Sequence, residues 1–231
     1  MSQETNRIKK IYNTVYRQDP NNRAYIWNPC NPVSIFYRQA QERVLIALFN
    51  QYNLDLSQLR VLDVGCGGGG FLRFMGSLGV LPKNLYGLDL MAYRIKDAIN
   101  YCPNKVDLRV GDGKRLPYPK QSFNFVSQFT VFSAMFDSQV RKNVAKEMMR
   151  VLKHHGYILW YDMRGSKSET TCGLEKDEVK ALFPGCKTKA VWKIHSPYIG
   201  RVAQKSMLLA DIWDHLMFFR KTHYLILMQK D

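Results

Sequence analysis

The chain has 231 residues, 46% of them hydrophobic, and carries 34 Lys and Arg against 19 Asp and Glu, a formal charge of +15. That length fits one domain with at most a small cap, and no run approaches the roughly 18 uninterrupted apolar residues of a membrane-spanning helix. The start, Met1-Ser2-Gln3-Glu4, lacks a hydrophobic targeting core, and cysteines 30, 66, 102, 172 and 186 show no C-x-x-C spacing; neither zinc nor a disulfide framework is supported, and a cytoplasmic setting is expected.

Residues 2–17 carry Ile8, Ile11, Tyr12, Val15 and Tyr16 at helical spacing. Asp19-Pro20-Asn21-Asn22 breaks the pattern, and Asn28-Pro29-Cys30-Asn31-Pro32 reads as a turn-rich linker. Ser34 is the expected cap of a second helix, 34–50, bearing Ile35, Phe36, Ala40, Val44, Leu45, Leu48 and Phe49. Residues 1–52 therefore read as a helical cap ahead of a main domain, 53–231.

The apolar run Arg60-Val61-Leu62-Asp63-Val64 ends in Gly65-Cys66-Gly67-Gly68-Gly69-Gly70, and Phe71, Leu72, Phe74, Met75 and Leu78 then follow a helical period. A strand, a glycine turn and a helix open a nucleotide-binding α/β unit. Gly65, Gly67 and Gly70 formally match the dinucleotide pattern, but a pyrophosphate would face the Asp63 carboxylate at low dielectric. S-adenosylmethionine, with a sulfonium and an ammonium, suits an acid beside glycines. Leu85-Tyr86-Gly87-Leu88-Asp89 reads as the next strand; Asp89, about 20 residues beyond the glycines, can accept from two ribose hydroxyls. Residues 106–110 form a third strand before Gly111-Asp112-Gly113, where Asp112 can accept from an adenine amino group. Singly, such acids serve as caps or turn residues; three at successive strand ends make a set.

The alternation continues with a helix at 92–101, a strand at 124–130, a helix at 138–152 and a strand at 157–162, which predicts a parallel sheet with ligands at the strand C-terminal edge. A helix at 175–182 and strands at 187–194 and 222–229 remain. Between those strands, residues 196–221 form a helical, rather apolar insert with Val202, Leu208, Leu209, Ile212, Trp213, Leu216, Met217 and Phe219. It reads as a substrate lid, a greasy contact for a lipid-linked acceptor, or a helix packed on the core or on a second subunit.

On Val61–Gly69, Tyr86–Leu90, Gly111–Tyr118, Ser122–Val126 and Met149–Lys153, the chain resembles class I S-adenosylmethionine-dependent methyltransferases of the small-molecule, type 11-like kind. The resemblance implies a Rossmann-like, doubly wound seven-stranded sheet whose last strand is antiparallel. It implies Asp63, Gly65, Cys66, Gly67 and Gly69 around the methionine part of the cofactor, Asp89 and Leu90 at the ribose, and Gly111, Asp112 and Gly113 at the adenine. Gln128 and Phe129 would flank the transferred methyl, and the N-terminal helices would form one wall of the acceptor site; Tyr12, Tyr16 and Trp27 read first as core-facing aromatics at helical spacing and second as lining of that wall. The family usually has Asp where this chain has Asn124 and Pro-Gly where it has His155-Gly156. A looser resemblance, over Gln128–Ser133, Leu159–Asp162, Leu182–Gly185 and Thr222–Leu225, points to methyltransferases of surface polysaccharides and glycans, and so to a sugar hydroxyl as acceptor; a quinone, lipid or secondary metabolite is the alternative.

A hydroxyl acceptor benefits from a general base. Asp162 ends the fifth strand, His195 follows the sixth and His223 begins the reversed seventh, so these three are the candidates. No His, Asp or Glu spacing suggests a metal. The bases never run beyond two in a row, which favours a small-molecule acceptor over nucleic acid. A basic groove for RNA, association with an anionic membrane surface, and a homo-oligomer remain compatible readings of the charge and of the insert.

Overall fold

The computed structural model describes residues 3–16, 31–165 and 167–231. Trp27, the side chain of Tyr16, the Asp19–Asn22 break and the Asn28–Cys30 part of the linker lie outside the described residues. In chain order the elements are α1 (Gln3–Ile11), α2 (Pro32–Gln51), β1 (Val61–Val64), α3 (Gly70–Ser77), β2 (Leu85–Asp89), α4 (Ala92–Tyr101) and β3 (Asp107–Val110). They continue with β4 (Phe123–Phe129), α5 (Ser138–Val151), β5 (Leu152–Met163), α6 (Lys176–Leu182), β6 (Cys186–Ile194), α7 (Ile199–Lys205), α8 (Met207–Leu216) and β7 (His223–Lys230).

The strands form one seven-stranded sheet in the order β3-β2-β1-β4-β5-β7-β6. The pairs β1–β2, β1–β4, β2–β3 and β4–β5 are parallel. The last strand runs the other way. Its far end meets the early part of β5, where Gln229 Nε2 donates to the His155 carbonyl at 3.1 Å. Thr222 N–H donates to the His195 carbonyl at 2.8 Å, and Asp231 N–H to the Gly185 carbonyl at 3.0 Å, closing β6 and β7 into an antiparallel hairpin. This is the doubly wound sheet with a reversed last strand that the sequence predicts.

Two compact units divide the chain: Asp55–Val191 with Leu225–Asp231, and Met1–Leu54 with Trp192–Tyr224. In the first, the central strands are buried along almost their whole length. Val61, Leu62, Leu85, Phe125, Val126, Ile158, Leu159 and Trp160 have no solvent exposure. Parallel strands covered on both faces need such near-continuous apolar runs, so the polar Asp63 and Ser127 within them demand a separate explanation. β5 begins five residues earlier than the sequence pattern indicates. His155 adopts a left-handed φ of 58°, and the register with β4 jumps between Phe123–Leu152 and Phe125–Tyr157. That bulge hides the start of the strand from a two-residue periodicity.

In the second unit, α2 packs on α7 and α8. Phe36, Ile199, Ala203 and Ala210 form its buried centre, with Tyr37, Val202, Met207 and Trp213 against them. The cap of α2 is Asn31 rather than Ser34: the Asn31 side chain accepts from Val33 N–H at 2.8 Å, and Pro32 takes the first helical position, where no N–H is needed. The insert splits at Ser206, whose hydroxyl accepts from Leu209 N–H at 3.3 Å and starts α8. No helix among the described residues is long and apolar enough to cross a membrane.

Candidate functional site

The glycine turn is fixed by its backbone before any ligand is considered. Gly65, Gly67 and Gly69 have φ of 78°, 52° and 76°, a region that costs an L-residue about 1–2 kcal/mol. Space is tight as well: a Cβ on Gly65 would overlap the Val131 side chain, and one on Gly69 would overlap Cys102 Sγ. The N–H groups of Gly65 and Cys66 both reach the Leu88 carbonyl, at 2.7 and 3.1 Å. Gly67 N–H donates to Asp89 Oδ2 at 2.9 Å, and Met91 N–H to Asp89 Oδ1 at 2.8 Å. Asp89 thus ties the turn after β1 to the end of β2. Each of its oxygens spends one lone pair on this, and a carboxylate has about four acceptor positions.

Asp63 pairs across the sheet with Ser127 of β4. It is 2% exposed, and the Ser127 hydroxyl donates to its Oδ1 at 2.8 Å. Burial pushes its carboxyl up to about 7; the Ser127 hydrogen bond opposes this and the charge of Asp89 adds to it. Burial also raises Asp89, against the N–H groups of Met91 and Gly67 and the Arg94 guanidinium. Cys66 is buried in the turn with its thiol pushed up, chiefly by burial and then by Asp63.

The exit of β3 joins the same edge, with Gly111 N–H on the Asp89 carbonyl at 2.9 Å. Asp112 folds back on its own turn, accepting from Lys114 N–H at 3.0 Å while Lys114 Nζ lies 3.3 Å from its other oxygen. Leu90 and Gly113 are half-buried beside these acids. At the end of β4, next to β1, the Gln128 side chain donates to the Tyr161 carbonyl at 3.2 Å and accepts from Val131 N–H at 2.9 Å. The Phe129 ring lies 4.8 Å from Phe71 and 5.5 Å from Tyr161. Asp162 is fully buried at the end of β5; its oxygens accept from Met163 N–H at 2.8 Å and Ser133 N–H at 3.0 Å. Burial pushes it up to about 6 against those bonds. Asp63, the glycine turn, Asp89, Asp112, Gln128, Phe129 and Asp162 therefore mark the C-terminal ends of five adjacent parallel strands.

His195 and His223 belong to the other unit and meet there, ring centroids 5.3 Å apart and nearly perpendicular, with Tyr37 4.2 Å from His195. Thr222 Oγ1 lies 2.9 Å from the His195 carbonyl and 2.8 Å from His223 Nδ1. A carbonyl only accepts, so the single hydroxyl hydrogen goes there and the His223 Nδ1 must donate. That places the hydrogen on Nδ1 of the neutral ring and the lone pair on Nε2. Burial pushes His223 down to about 4, and burial together with His223 and Lys221 holds His195 well below the usual range. Ser127 and Arg94 have no motif signal, and Thr222 stands in the looser resemblance without a role assigned to it. Ser127 becomes legible only once β1 and β4 are known to be neighbours, and Thr222 only once β6 and β7 are paired.

Residues 62–160 match the family model described as a methyltransferase domain. A fatty-acid O-methyltransferase of Mycolicibacterium smegmatis is 32% identical over 117 residues, 48% of this chain and 39% of that protein. A phthiotriol/phenolphthiotriol dimycocerosates methyltransferase of Mycobacterium ulcerans is 32% identical over 119 residues, 49% of this chain and 41% of that protein. Residues 62–160 are a methyltransferase domain of the class I kind. The methyltransferase fold extends beyond the matched segment. A crystal structure of an S-adenosylmethionine-dependent methyltransferase from Mesorhizobium loti superposes with a TM-score of 0.59 at 15% identity, over 77% of this chain and 93% of that one. The chain spans about two fifths of the length of these two curated relatives.

The residues at this edge fit S-adenosylmethionine, the cofactor that a methyltransferase domain of this kind implies. Three carboxylates around a bare turn suit a sulfonium, an ammonium and a ribose diol, and they would repel a pyrophosphate. Among the described residues, nothing lies within 4 Å of where a Cβ on Gly70 would stand, and nothing closer than 3.8 Å for Gly68, so backbone can be approached closely there.

Proposed function

We propose that the protein methylates an oxygen of a lipid-like acceptor, using S-adenosylmethionine held by Asp63, Gly65, Cys66, Gly67, Gly69, Asp89, Leu90, Gly111, Asp112, Gly113, Gln128 and Phe129. The observation that carries the acceptor class is the pair of relatives whose names specify fatty-acid and dimycocerosate acceptors. S-adenosylmethionine supplies an activated methyl on a good leaving group. The protein's own share is orientation, exclusion of water and handling of one proton. His223 is the proposed base. Asp162 acts as a positioning residue that holds the Phe132–Ala134 turn through Ser133 N–H, and His195 orients the base through its carbonyl and the Thr222 hydroxyl.

The acceptor is tested by radiolabelled methyl transfer to fatty acids, hydroxylated lipids, quinones, nucleotide sugars and RNA. Transfer to the lipid panel is expected; exclusive transfer to nucleotide sugars would install the glycan reading of the second resemblance instead, and exclusive transfer to RNA would remove both.

The Asp63 carboxyl gives this reading a pH signature. With its proton held up to about pH 7 by burial, the free protein is largely neutral at Asp63 below that pH. A bound ammonium or sulfonium requires the carboxylate, so binding must release the proton. Affinity for S-adenosylmethionine should therefore fall about tenfold per pH unit below 7 and level off above it. At pH 6, where the α-amino group of the ligand is already charged, calorimetry in buffers of different ionisation enthalpy should report close to one proton released per ligand. Identical heats in all buffers would remove Asp63 from the cationic part of the site.

A further inference from the structure

α8 is apolar on both faces. Its inner face, Met207, Ala210 and Trp213, belongs to the Phe36 core. Its outer face carries Leu208, Ile212 and Leu216, four residues apart and 70, 48 and 63% exposed, with Leu209 beside them. The chain then leaves the helix through Phe218 and Phe219, 72 and 62% exposed, their rings edge to face. A helix on a protein surface normally turns polar side chains to water, and a contiguous exposed patch of this kind marks an interaction face.

The net charge around the patch is basic. The acids of this segment are both engaged: Asp214 by Lys221 at 2.7 Å and Asp211 by Arg43 at 3.4 Å. Arg201, Lys205 and Arg220 are exposed on the same stretch. Tyr198, just ahead of α7, is held at a left-handed φ of 62° with its ring 68% exposed and the Arg201 guanidinium 5.6 Å over it. A strained aromatic offered to solvent on a basic segment points to a role at a surface.

We infer that the outer face of α8 with Phe218 and Phe219 docks the protein on an anionic lipid bilayer. The apolar side chains enter the acyl boundary, while Arg201, Lys205 and Arg220 meet the phosphate headgroups. The combination of Leu and Phe on one side with Arg and Lys around it is that of a helix lying in a membrane interface. A second copy of the chain is disfavoured, because a two-fold contact would bring like charges of both copies together. RNA is disfavoured because six large apolar side chains would face its phosphates without burial.

The inference deepens the lipid-acceptor reading but is tested without any acceptor. Co-flotation is measured with vesicles of phosphatidylcholine alone and of phosphatidylcholine with equimolar phosphatidylglycerol. The intact protein is expected to bind the anionic vesicles at least tenfold more tightly. The double variant Phe218→Ser, Phe219→Ser should lose that binding about tenfold or more. The triple variant Arg201→Gln, Lys205→Gln, Arg220→Gln should lose the preference for phosphatidylglycerol. Since all these side chains are exposed, circular dichroism and affinity for S-adenosylmethionine should be unchanged in both variants, which separates this test from the cofactor and acceptor readings. Equal binding to both vesicles, or binding that survives Phe218→Ser, Phe219→Ser, overturns the inference. So does a dimer seen by light scattering that the same double variant disperses, or RNA binding that it weakens equally.

Discussion

Replacing Asp89 with alanine is expected to weaken S-adenosylmethionine and S-adenosylhomocysteine binding by about 100-fold or more. Two losses coincide at this one side chain. Its oxygens hold Gly67 N–H at 2.9 Å and Met91 N–H at 2.8 Å, so the variant leaves the turn after β1 without its tie to β2. The acceptor positions proposed for the ribose hydroxyls vanish as well. Hydrogen bonds to a charged acceptor contribute about 1.5–3 kcal/mol each, and about 2.8 kcal/mol already makes a factor of 100. Asp89→Asn keeps one carbonyl oxygen but turns an amide N–H₂ toward the other backbone donor, so an intermediate loss is expected. Calorimetry on both variants, with NAD as a control that should not bind, decides the matter. Full affinity in Asp89→Ala would detach this residue from the ribose.

The sheet was readable because its burial is of the simplest kind. Strands covered on both faces must be largely apolar, and β1, β2, β4 and the second half of β5 are, apart from Asp63, Ser127 and the polar residues at their ends; their boundaries follow within a residue or two of the pattern. The glycine turn was readable for the opposite reason, since left-handed φ values at Gly65, Gly67 and Gly69 leave little choice of residue. What escaped was pairing between distant segments. The Ser127 hydroxyl on Asp63 depends on β4 lying beside β1, and no local pattern marks a serine inside an apolar strand as anything but tolerated. The packing of α7 and α8 on α2 is likewise a contact between residues more than 150 positions apart, encoded only in the shapes of Phe36, Ile199, Ala203 and Ala210. α2 starts ahead of the Ser34 cap that the sequence suggests, because the Asn31 side chain caps it and Pro32 fits the first helical position, where no N–H is needed. The strand-end acids could be located but their partners could not. Asp162 and Asp112 each turn out to be held by nearby backbone N–H groups, which is information about hydrogen bonds rather than about residue type.

The second large effect is expected at His223. His223→Gln should lower turnover by roughly 10²–10⁴-fold, the usual contribution of a positioned base, with affinity for S-adenosylmethionine unchanged. The argument rests on one hydrogen. Thr222 Oγ1 has a single proton and two neighbours within reach, the His195 carbonyl at 2.9 Å and His223 Nδ1 at 2.8 Å. Only the carbonyl is unable to donate, so the imidazole must, and its lone pair sits on Nε2. Burial pushes His223 down to about 4, so the ring stays neutral across the physiological range. The acid limb of the rate profile near pH 7 should then belong to Asp63 and not to this histidine. Thr222→Val supplies the discriminating case: it retains the ring but removes the oxygen that fixes the tautomer. A rate loss of about tenfold, without a change in cofactor affinity or thermal stability beyond about 1 kcal/mol, is the expected outcome. If His223→Gln turns over at the normal rate, the proton is taken by another group or by water, and the alignment of Thr222, His195 and His223 serves only to pin β6 to β7.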